Sequence, residues 1–531
     1  MLSRMFGGQL SVRGTARLLF LLLALFSWPV SAADVSKNPR HVVVVVMDGL
    51  RPDFVTPQNT PVLWKLAQEG VTFRNHHAVY LSSTHVNGSA IETGCYPNHN
   101  GMIANYDYRP AIEPNKFVST EQAAVIKKGD ALSGGKYLTK PTIAEMVRAA
   151  GGRTAVAAAK TVGFLFDRQI DPGAGSKAVT LSAGESRPRE ALSSIVAATG
   201  LYPGFPMYRH WQRDAWTTKA LIEAMWEKEV PAFSFLWLGE PDLSEHDTAP
   251  GAPAALTALK ASDENLSLVL AALDRKGVRS ATTVFVLSDH GFSTIERAID
   301  VRKVLVDAGM NAFVDFKDVS LKRGDVLIVG NGGSVLFYVV KRDPAVTKRL
   351  VETLQQSDFA GVILTREALS GTFTLDKAQI DSAQGPDVVI SFRWTDAKNE
   401  FGVPGMVQAD WNRGPNKGTH ATLGRFDMHN TLIAAGPDFR RGQVSDVPSG
   451  NVDIAPTVLH ILGIKPPGPM DGRVLAEAMM NEQPPLKFET EKLEAKTPVT
   501  GGTWQQYLQI SKVGSTVYLD EGNGAFVPDV R

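Results

Sequence analysis

The stretch HVVVVVMDG, residues 41–49, indicates the fold class most directly. Its five consecutive valines form a short β-branched run, which is typical of a strand buried on both faces of a parallel sheet. The run ends at Asp48-Gly49, a pair that in most proteins simply forms a turn. Thr60-Pro61 then favours a helix start and Gly70 a helix end, so a helix is expected directly after the first strand.

The same alternation of helix and strand recurs further along the chain. Hydrophobic periodicity predicts helices at 141–150, 214–229, 254–275 and 452–462, and strands at 153–159, 232–238, 282–287 and 430–435. This rhythm predicts an α/β fold with a doubly wound, mostly parallel sheet and helices on both faces. Such sheets bind ligands beyond the carboxyl ends of their strands, where this chain places Asp48, residues 240–242 and Asp289-His290.

The regions outside this rhythm predict an insertion and two terminal segments. Residues 296–410 do not follow this alternation of strand and helix: strands are expected at 324–329, 334–340 and 387–392, and a helix at 344–356. They are predicted to form an inserted α+β cap. The catalytic core is then expected to comprise residues 33–295 and 411–475. Residues 476–531 give weak secondary-structure signals and are interpreted as a C-terminal extension.

Residues 1–32 are expected to be a secretory signal peptide. Three arginines precede an apolar run of 13 residues, 18–30, which is shorter than the ~20 residues that span a bilayer. Val30-Ser31-Ala32 offers the small residues of a cleavage site. We expect a periplasmic or secreted bacterial protein, cleaved near Ala32 and without a membrane span in the mature chain; an uncleaved N-terminal anchor is the alternative.

Composition narrows the classes of protein further. The chain has 531 residues, 44% of them hydrophobic and 21% charged, which excludes disorder as the main state. Lys+Arg and Asp+Glu are both 55, so no nucleic-acid-binding surface is expected. The single cysteine, Cys95, excludes an intrachain disulfide and a multi-cysteine metal site, and it suits an oxidising periplasm.

Four polar segments need a joint explanation: 47–51 (MDGLR), 82–105 with SSTHVN at its start, 240–246 (EPDLSEH), and 288–291 (SDHG) with 418–420 (GTH). Each alone is weak; Asp242 and His246, for example, are spaced like one helical turn, as on many solvated helices. Together their aspartates and histidines could hold two divalent ions, most simply Zn²⁺, with Mn²⁺ or Fe²⁺ as alternatives. Two ions ~4 Å apart suit the attacking and leaving oxygens of a phosphoryl transfer. Thr84 is expected at a helix N-terminus, where anions are favoured.

These motifs resemble the alkaline phosphatase superfamily and, within it, the type I phosphodiesterase/nucleotide pyrophosphatase family. The resemblance extends from His41 to about Leu462, apart from the cap. It rests on Asp48 after the first strand and on Thr84 with an asparagine, Asn87, three residues later. The pattern continues through Thr93, Gly94, Tyr96, Pro97, His99 and Gly101 to Asn105, which is 21 residues past Thr84.

The resemblance implies an exported two-metal hydrolase that cleaves phosphodiester or nucleotide pyrophosphate bonds of small-molecule phosphate esters through a phospho-threonine intermediate. It implies Thr84 as the nucleophile and Asn105 as a ligand of a phosphoryl oxygen. One ion is then held by Asp242, His246 and His420, and the other by Asp48, Asp289, His290 and the Thr84 oxygen. Asn87 and Lys160 are candidate substrate-binding residues.

Several positions depart from the family pattern: Leu81 and Val86 replace prolines, His85 an aromatic residue and Ala421 a glycine, and Asn100 is inserted before Gly101. None removes a ligand, so they bear on substrate subclass more than on chemistry. His85 is interpreted as part of the pocket wall, because adjacent helical residues point about 100° apart.

Related activities remain open as alternatives. Cys95-Tyr96-Pro97 imitates a sulfatase motif but lacks its arginine. Lys160-Thr161-Val162 matches the lysine, and not the arginine, of the Lys-x-Arg motif in threonine-dependent phosphomonoesterases. Phosphonoacetate hydrolases place a lysine near the same point. A non-catalytic ligand-binding pseudoenzyme is the alternative of another class, and the intact ligand set disfavours it. The oligomeric state is not predicted.

Overall fold

The computed structural model describes residues 40–168, 178–204, 210–480 and 486–529. The predicted signal peptide lies outside these residues and stays a prediction. The central sheet has nine strands, in the spatial order Gln443–Ser445, Val71–Phe73, Leu432–Ala435, Thr282–Leu287, His41–Met47, Phe233–Leu238, Thr154–Ala158, Ala178–Ser182 and Glu185–Arg187.

The valine strand lies in the middle of this sheet because it is apolar on both faces. Its neighbours, Thr282–Leu287 and Phe233–Leu238, both run parallel to it. Val42, Val44 and Val46 pack into one apolar layer, whereas Val43 and Val45 pack into the other. Each layer is closed by helices, so the predicted α/β class with a mostly parallel, doubly covered sheet is confirmed.

Most of the helices predicted from the sequence lie close to their expected positions, and the structure adds several short helices that were not predicted. The α-helices are Pro61–Glu69, Thr84–Thr93, Pro97–Asn100, Ala123–Ser133, Ile143–Ala149, Gly163–Phe166, Ala191–Thr199, Trp211–Lys219, Asp242–Thr248, Pro253–Arg275, Val301–Asp307, Pro344–Gln355, Arg425–Met428 and Ile454–Leu462. Short 3₁₀ turns are Pro52–Phe54, Arg279–Ala281, Val340–Arg342, Leu375–Ala378, Asn451–Asp453 and Ala476–Ala478.

The helix predicted at 214–229 differs from the structure. It begins earlier, at Trp211, and continues from Lys219 as a π-helix, Ala220–Met225. The wider turn ends where the N–H of Trp226 bonds the carbonyl of Leu221, five residues back. A hydrophobic pattern with a period of 3.6 residues predicts an α-helix and does not reveal a π-helical turn within it.

A second sheet occupies the predicted cap. Its six strands are, in spatial order, Ala312–Phe313, Val326–Gly330, Ser334–Val339, Val388–Phe392, Ala360–Thr365 and Phe373–Thr374. The expected hairpin is the antiparallel pair 326–330 and 334–339. A four-stranded sheet has the spatial order Trp394–Lys398, Pro404–Ala409, Ser293–Ala298 and Gly418–Thr419. Its first two strands fall within the predicted cap, residues 296–410, whereas the other two lie at the start of that range and after its end. The domain boundaries stay predictions.

The C-terminal residues form an antiparallel sheet of Glu489–Val499, Gly502–Val513 and Thr516–Pro528. Its side chain Gln506 bonds both the N–H and the carbonyl of Ile363 in the cap sheet. Two small ladders pair His76–His77 with Ser449–Gly450 and Tyr106–Asp107 with Val118–Ser119. None of the helices in the described part of the chain combines the length and apolar character needed to cross a bilayer.

Candidate active site

Three neighbouring strands carry the predicted acidic residues to one edge of the central sheet. His41–Met47, Phe233–Leu238 and Thr282–Leu287 are parallel and adjacent, so their carboxyl ends lie side by side at about 4.8 Å spacing. Asp48 follows the first of these strands, and Asp289-His290 follows the third. Asp242 begins the short helix after the second, and one turn later Nε2 of His246 lies 3.3 Å from its Oδ1.

His420 reaches the same edge from a different part of the chain. It follows the short strand Gly418–Thr419, and its Nε2 lies 3.5 Å from Oδ1 of Asp242. A Cβ at Gly418 would lie 2.3 Å from the carbonyl oxygen of Glu245, so glycine is needed for this close approach to the Asp242 helix. The imidazole of His420 stacks on that of His290, with ring centres 3.8 Å apart.

The predicted metal ligands thus come together as two overlapping sets. Asp242 is the centre of the first, with His246 and His420. In the second set, Nε2 of His290 lies 3.1 Å from Asp289 Oδ2 and 3.6 Å from Asp48 Oδ1. The same Nε2 is 4.0 Å from Asp242 Oδ1, so His290 lies between the two sets and groups with residues of both.

The donor atoms fit a divalent ion. Asp48 Oδ1, Asp242 Oδ1, Asp289 Oδ2 and His290 Nε2 are all buried, and within the described residues none has a hydrogen-bond partner. Buried polar atoms without partners are costly, so their convergence calls for a ligand. Ligand atoms about 2.0–2.1 Å from a tetrahedral ion stand ~3.3 Å apart, which is close to the spacings within each set.

The three imidazoles are oriented for metal binding. Each Nδ1 lies close to a backbone carbonyl: His246 to Gly418 at 3.0 Å, His420 to Ser82 at 2.9 Å and His290 to Gly291 at 2.9 Å. A carbonyl oxygen only accepts, so Nδ1 carries the hydrogen and Nε2 offers its lone pair to the ligand sets. Burial and the two neighbouring imidazoles hold the pKa of His420 well below its usual range, so that ring is neutral.

Lys160 lies between the two ligand sets. Its Nζ is 2.8 Å from Asp48 Oδ2 and 2.9 Å from Asp242 Oδ2, the oxygens opposite those that face the histidines. Trp237 Nε1 also donates to Asp48 Oδ2, at 2.8 Å. Burial and the carboxylates of Asp242 and Asp289 raise the pKa of Asp48 well above its usual range. Burial also raises the pKa of Asp242, but Lys160, His246 and His420 outweigh it and hold the pKa of that carboxyl well below its usual range.

Thr84 begins the buried helix Thr84–Thr93, as predicted, after the extended residue Ser83. The chain next to it is held near the ligand sets, because Ser82 supplies the carbonyl that His420 bonds. Thr84 is 2% exposed, and within the described residues its hydroxyl makes no hydrogen bond. A free hydroxyl at a helix N-terminus is placed to meet a phosphoryl group.

Asn105 is oriented towards the same helix. Its Oδ1 accepts a hydrogen bond of 2.8 Å from the backbone N–H of His85, while within the described residues its Nδ2 has no partner. His85 itself is engaged elsewhere, by Thr120 Oγ1 and by Glu121 Oε2, each at 2.8 Å. Although burial opposes it, the His85 imidazole lowers the pKa of Glu121 to about 2. The imidazole is thus engaged by Thr120 and Glu121, and its role in the pocket wall stays a prediction.

Asn87 has no hydrogen-bonding group to spare for a substrate. Its Nδ2 donates to the carbonyls of Val79, Leu81 and Ser83, and its Oδ1 accepts from Val79 N–H and Asn451 Nδ2. The side chain is completely buried. Its contacts therefore hold the loop before Thr84, a role that differs from the substrate contact considered in the sequence.

Other motif residues also hold loops. Asp471 accepts from the Tyr96 N–H at 2.8 Å and contacts His99 Nδ1 at 2.9 Å, tying the Tyr-Pro segment to the core. Burial and Asp471 raise the pKa of Cys95 to about 11, so its thiol is protonated at pH 7.

Some contributors to the site have no clear sequence signal. In the sequence Trp237 is an ordinary residue of a predicted strand, although its indole N–H donates a hydrogen bond to Asp48. Asp214 reads as a helix residue, yet its carboxylate accepts from the N–H groups of Gly239 and Glu240 and so shapes the turn before Asp242.

Comparison with known proteins identifies the family of this chain. The family model described as type I phosphodiesterase / nucleotide pyrophosphatase matches residues 42–395. Ectonucleotide pyrophosphatase/phosphodiesterase family member 3 of Rattus norvegicus is 22% identical over 279 residues, 50% of this chain and 27% of the relative. Member 7 of the same organism is 21% identical over 479 residues, 89% and 94% of the two chains. This chain therefore spans about a quarter of the first of these relatives and nearly all of the second.

Solved structures support the fold. Murine ectonucleotide pyrophosphatase / phosphodiesterase 5 superposes with a TM-score of 0.58 at 17% identity, covering 83% of this chain and 100% of that one. An inactive threonine-to-alanine variant of that murine protein, in complex with AMP, gives a TM-score of 0.57 at 18% identity over the same shares of both chains. The family resemblance seen in the motifs is confirmed.

Proposed function

The chain belongs to the type I phosphodiesterase/nucleotide pyrophosphatase family, and from that membership we propose that it is a metal-dependent hydrolase of phosphodiester or nucleotide pyrophosphate bonds that acts through Thr84. The observation that carries the proposal is the convergence of four buried, unpartnered polar atoms of Asp48, Asp242, Asp289 and His290. No apolar or purely structural role accounts for such a cluster.

The ligand sets would hold two divalent ions, most simply Zn²⁺. Asp242, His246 and His420 would hold one, and Asp48, Asp289 and His290 would hold the other, with the Thr84 oxygen beside it. When bound, the ions supply the positive charge that favours a deprotonated Thr84 hydroxyl and stabilises a departing oxygen.

Thr84 acts as the nucleophile in the first step. Its Oγ1 gives its proton to solvent and forms a bond to phosphorus as the bond from phosphorus to the leaving oxygen breaks, and the departing oxygen takes up a proton from solvent, which leaves a phospho-threonine. Nδ2 of Asn105 and the backbone N–H of Thr84 donate to a non-bridging oxygen of the phosphoryl group. In the second step the oxygen of a water molecule bonds to the same phosphorus as the bond from phosphorus to Oγ1 breaks, and a proton from that water restores the Thr84 hydroxyl.

Lys160 favours a diester substrate over a monoester. A phosphomonoester dianion carries one more negative charge than a diester, and enzymes that prefer it need a free cation near the phosphoryl group. The Lys160 ammonium already contacts two carboxylates, at 2.8 and 2.9 Å. It is therefore better placed to orient Asp48 and Asp242 than to bind a second phosphoryl charge.

Two findings on similar proteins agree with this proposal. The murine structural neighbour binds AMP in an inactive threonine-to-alanine variant, which suits a nucleotide-type substrate and a threonine nucleophile. A relative from Macrovipera lebetinus, 21% identical over 80% of this chain, is a venom phosphodiesterase. With the predicted signal peptide, this favours export of the chain to the periplasm or the medium.

Initial rates on paired substrates test the proposal. Zinc-loaded protein is expected to hydrolyse bis-p-nitrophenyl phosphate about 100-fold faster than p-nitrophenyl phosphate at equal subsaturating concentration. That ratio corresponds to ~2.7 kcal/mol of differential transition-state binding. EDTA-treated protein is the control and is expected to hydrolyse neither.

Each other result replaces the proposal. A preference for the monoester would mean that Lys160 serves the phosphoryl group, and a phosphomonoesterase would be the correct assignment. Activity on neither ester, with turnover of a phosphonate such as phosphonoacetate, would assign a phosphonate hydrolase. Zinc binding without turnover of any of these would assign a ligand-binding pseudoenzyme.

A further inference from the structure

The side chain of Asn451 makes hydrogen bonds to two parts of the candidate active site. The residue begins the 3₁₀ turn Asn451–Asp453 and is completely buried. Its Nδ2 donates to Asn87 Oδ1 at 2.9 Å and to the carbonyl oxygen of Asp289 at 2.6 Å. Its Oδ1 faces His76 Nε2 at 3.0 Å and Asn430 Nδ2 at 3.2 Å. Both hydrogens of the amide are used, and its oxygen meets two donors.

The two donated hydrogen bonds join the two halves of the site. Asn87 lies one helical turn after Thr84 and anchors the loop before it through Ser83 and Leu81. Asp289 belongs to the second ligand set. A single NH₂ group therefore connects the helix that carries the nucleophile to the loop that carries the ligands.

The two donors on the opposite side fix the orientation of this amide. Burial lowers the pKa of His76 to about 3, so its ring is neutral at pH 7, and Ser449 Oγ lies 3.0 Å from its Nδ1. Nε2–H of His76 can then donate to the oxygen of Asn451. Asn430 donates to that oxygen and also to the carbonyl of Ser288, next to Asp289. If the Asn451 amide were flipped, its NH₂ group would face the donors of His76 and Asn430, and its oxygen would face the oxygens of Asn87 and Asp289.

We propose that Asn451 is a positioning residue that sets the distance and direction of Thr84 relative to the ligand loop. The inference rests on the proposed function of Thr84 and extends it to a residue that touches neither substrate nor ion. The reaction rate depends strongly on the position of the nucleophile, because a shift of ~1 Å can lower the rate ~10²-fold. Loss of the Asn451 amide is therefore expected to act on kcat.

The test compares Asn451→Ala with a matched asparagine elsewhere. Asn265, in the helix Pro253–Arg275, is 3% exposed and donates a single hydrogen bond to Ala261 O, so Asn265→Ala controls for the loss of a buried amide. For Asn451→Ala we expect kcat on bis-p-nitrophenyl phosphate to fall about 30- to 100-fold, with KM within about threefold and two zinc equivalents retained. For Asn265→Ala we expect kcat within about threefold of wild type.

Three results would overturn the inference. The first is a folded Asn451→Ala protein with a kcat like that of Asn265→Ala. The second is loss of zinc in step with activity, which would show that Asn451 only supports the ligand loop. The third is failure of both Asn451→Ala and the milder Asn451→Ser to give a cooperatively melting protein, which would assign the residue to folding. A wild type without turnover would instead remove the proposed function itself.

Discussion

Replacing Thr84 by alanine is expected to lower kcat on bis-p-nitrophenyl phosphate at least ~10³-fold, because the variant lacks the hydroxyl that forms the covalent bond to phosphorus. The loss should be confined to chemistry. Thr84 is buried, but within the described residues its hydroxyl makes no hydrogen bond, so the variant leaves no protein group unpaired. We therefore expect it to melt close to the wild type and to retain its zinc, as measured by elemental analysis.

Two variants sharpen this test. Thr93 lies at the other end of the same helix, equally buried, and its hydroxyl bonds the carbonyl of Ser89. Thr93→Ala should therefore keep a kcat within about threefold of wild type. Thr84→Ser keeps a nucleophilic hydroxyl and should retain much of the activity. Wild-type-like turnover by Thr84→Ala would remove Thr84 as the nucleophile.

Replacing His290 by alanine is the second large effect that we expect. Its Nε2 lies within 4.0 Å of acceptor oxygens in both ligand sets. The variant should lose most of its bound zinc and at least ~10³-fold in kcat, since removal of shared charge stabilisation affects both the attacking and leaving oxygens. Metal content and rate are measured on the same dialysed sample.

Other histidines provide graded controls. His246 lies in one set only, so His246→Ala should lose one zinc equivalent and keep the other. His460 is exposed on the helix Ile454–Leu462, and His460→Ala should retain metal and rate. If His290→Ala kept two equivalents, or if His246→Ala did, the corresponding ligand assignment would be wrong.

The sequence is sufficient for the fold class because the decisive signals are local. Five valines in a row can be satisfied only between two apolar layers, and the structure places them in the middle of the sheet with no exposed surface. Asp48, Asp242 and Asp289 follow strands of the same kind, so a parallel sheet brings them to one edge without further information. The metal-ligand candidates could therefore be predicted before the strand order was known.

Contacts that depend on strand order could not be predicted. Lys160 follows the strand Thr154–Ala158, and its ammonium meets Asp48 and Asp242 only because Phe233–Leu238 lies between that strand and the valine strand. The sequence alone made it a substrate-binding candidate. Asn451 is similar: nothing in an Asn before a helix signals that it contacts Asn87, which lies far away in the chain.

The C-terminal sheet was missed for a different reason. Its first strand, Glu489–Val499, is exposed along most of its length and carries charged residues on both faces. Its apolar side is limited to Leu493, Ala495 and Val499, which alternate with polar residues only in the second half of the strand, so the strand signal is weak. Its charges protect this edge strand from pairing with other chains. Only its pairing with Gly502–Val513 makes it a strand.

A zinc titration of chelator-treated protein tests the central claim most directly. The protein is stripped with EDTA, dialysed, and assayed on bis-p-nitrophenyl phosphate after each addition of Zn²⁺. We expect no hydrolysis in the stripped protein and a rate that rises to a plateau at two equivalents per chain. Full hydrolysis by protein that elemental analysis shows to be free of metal would contradict the account.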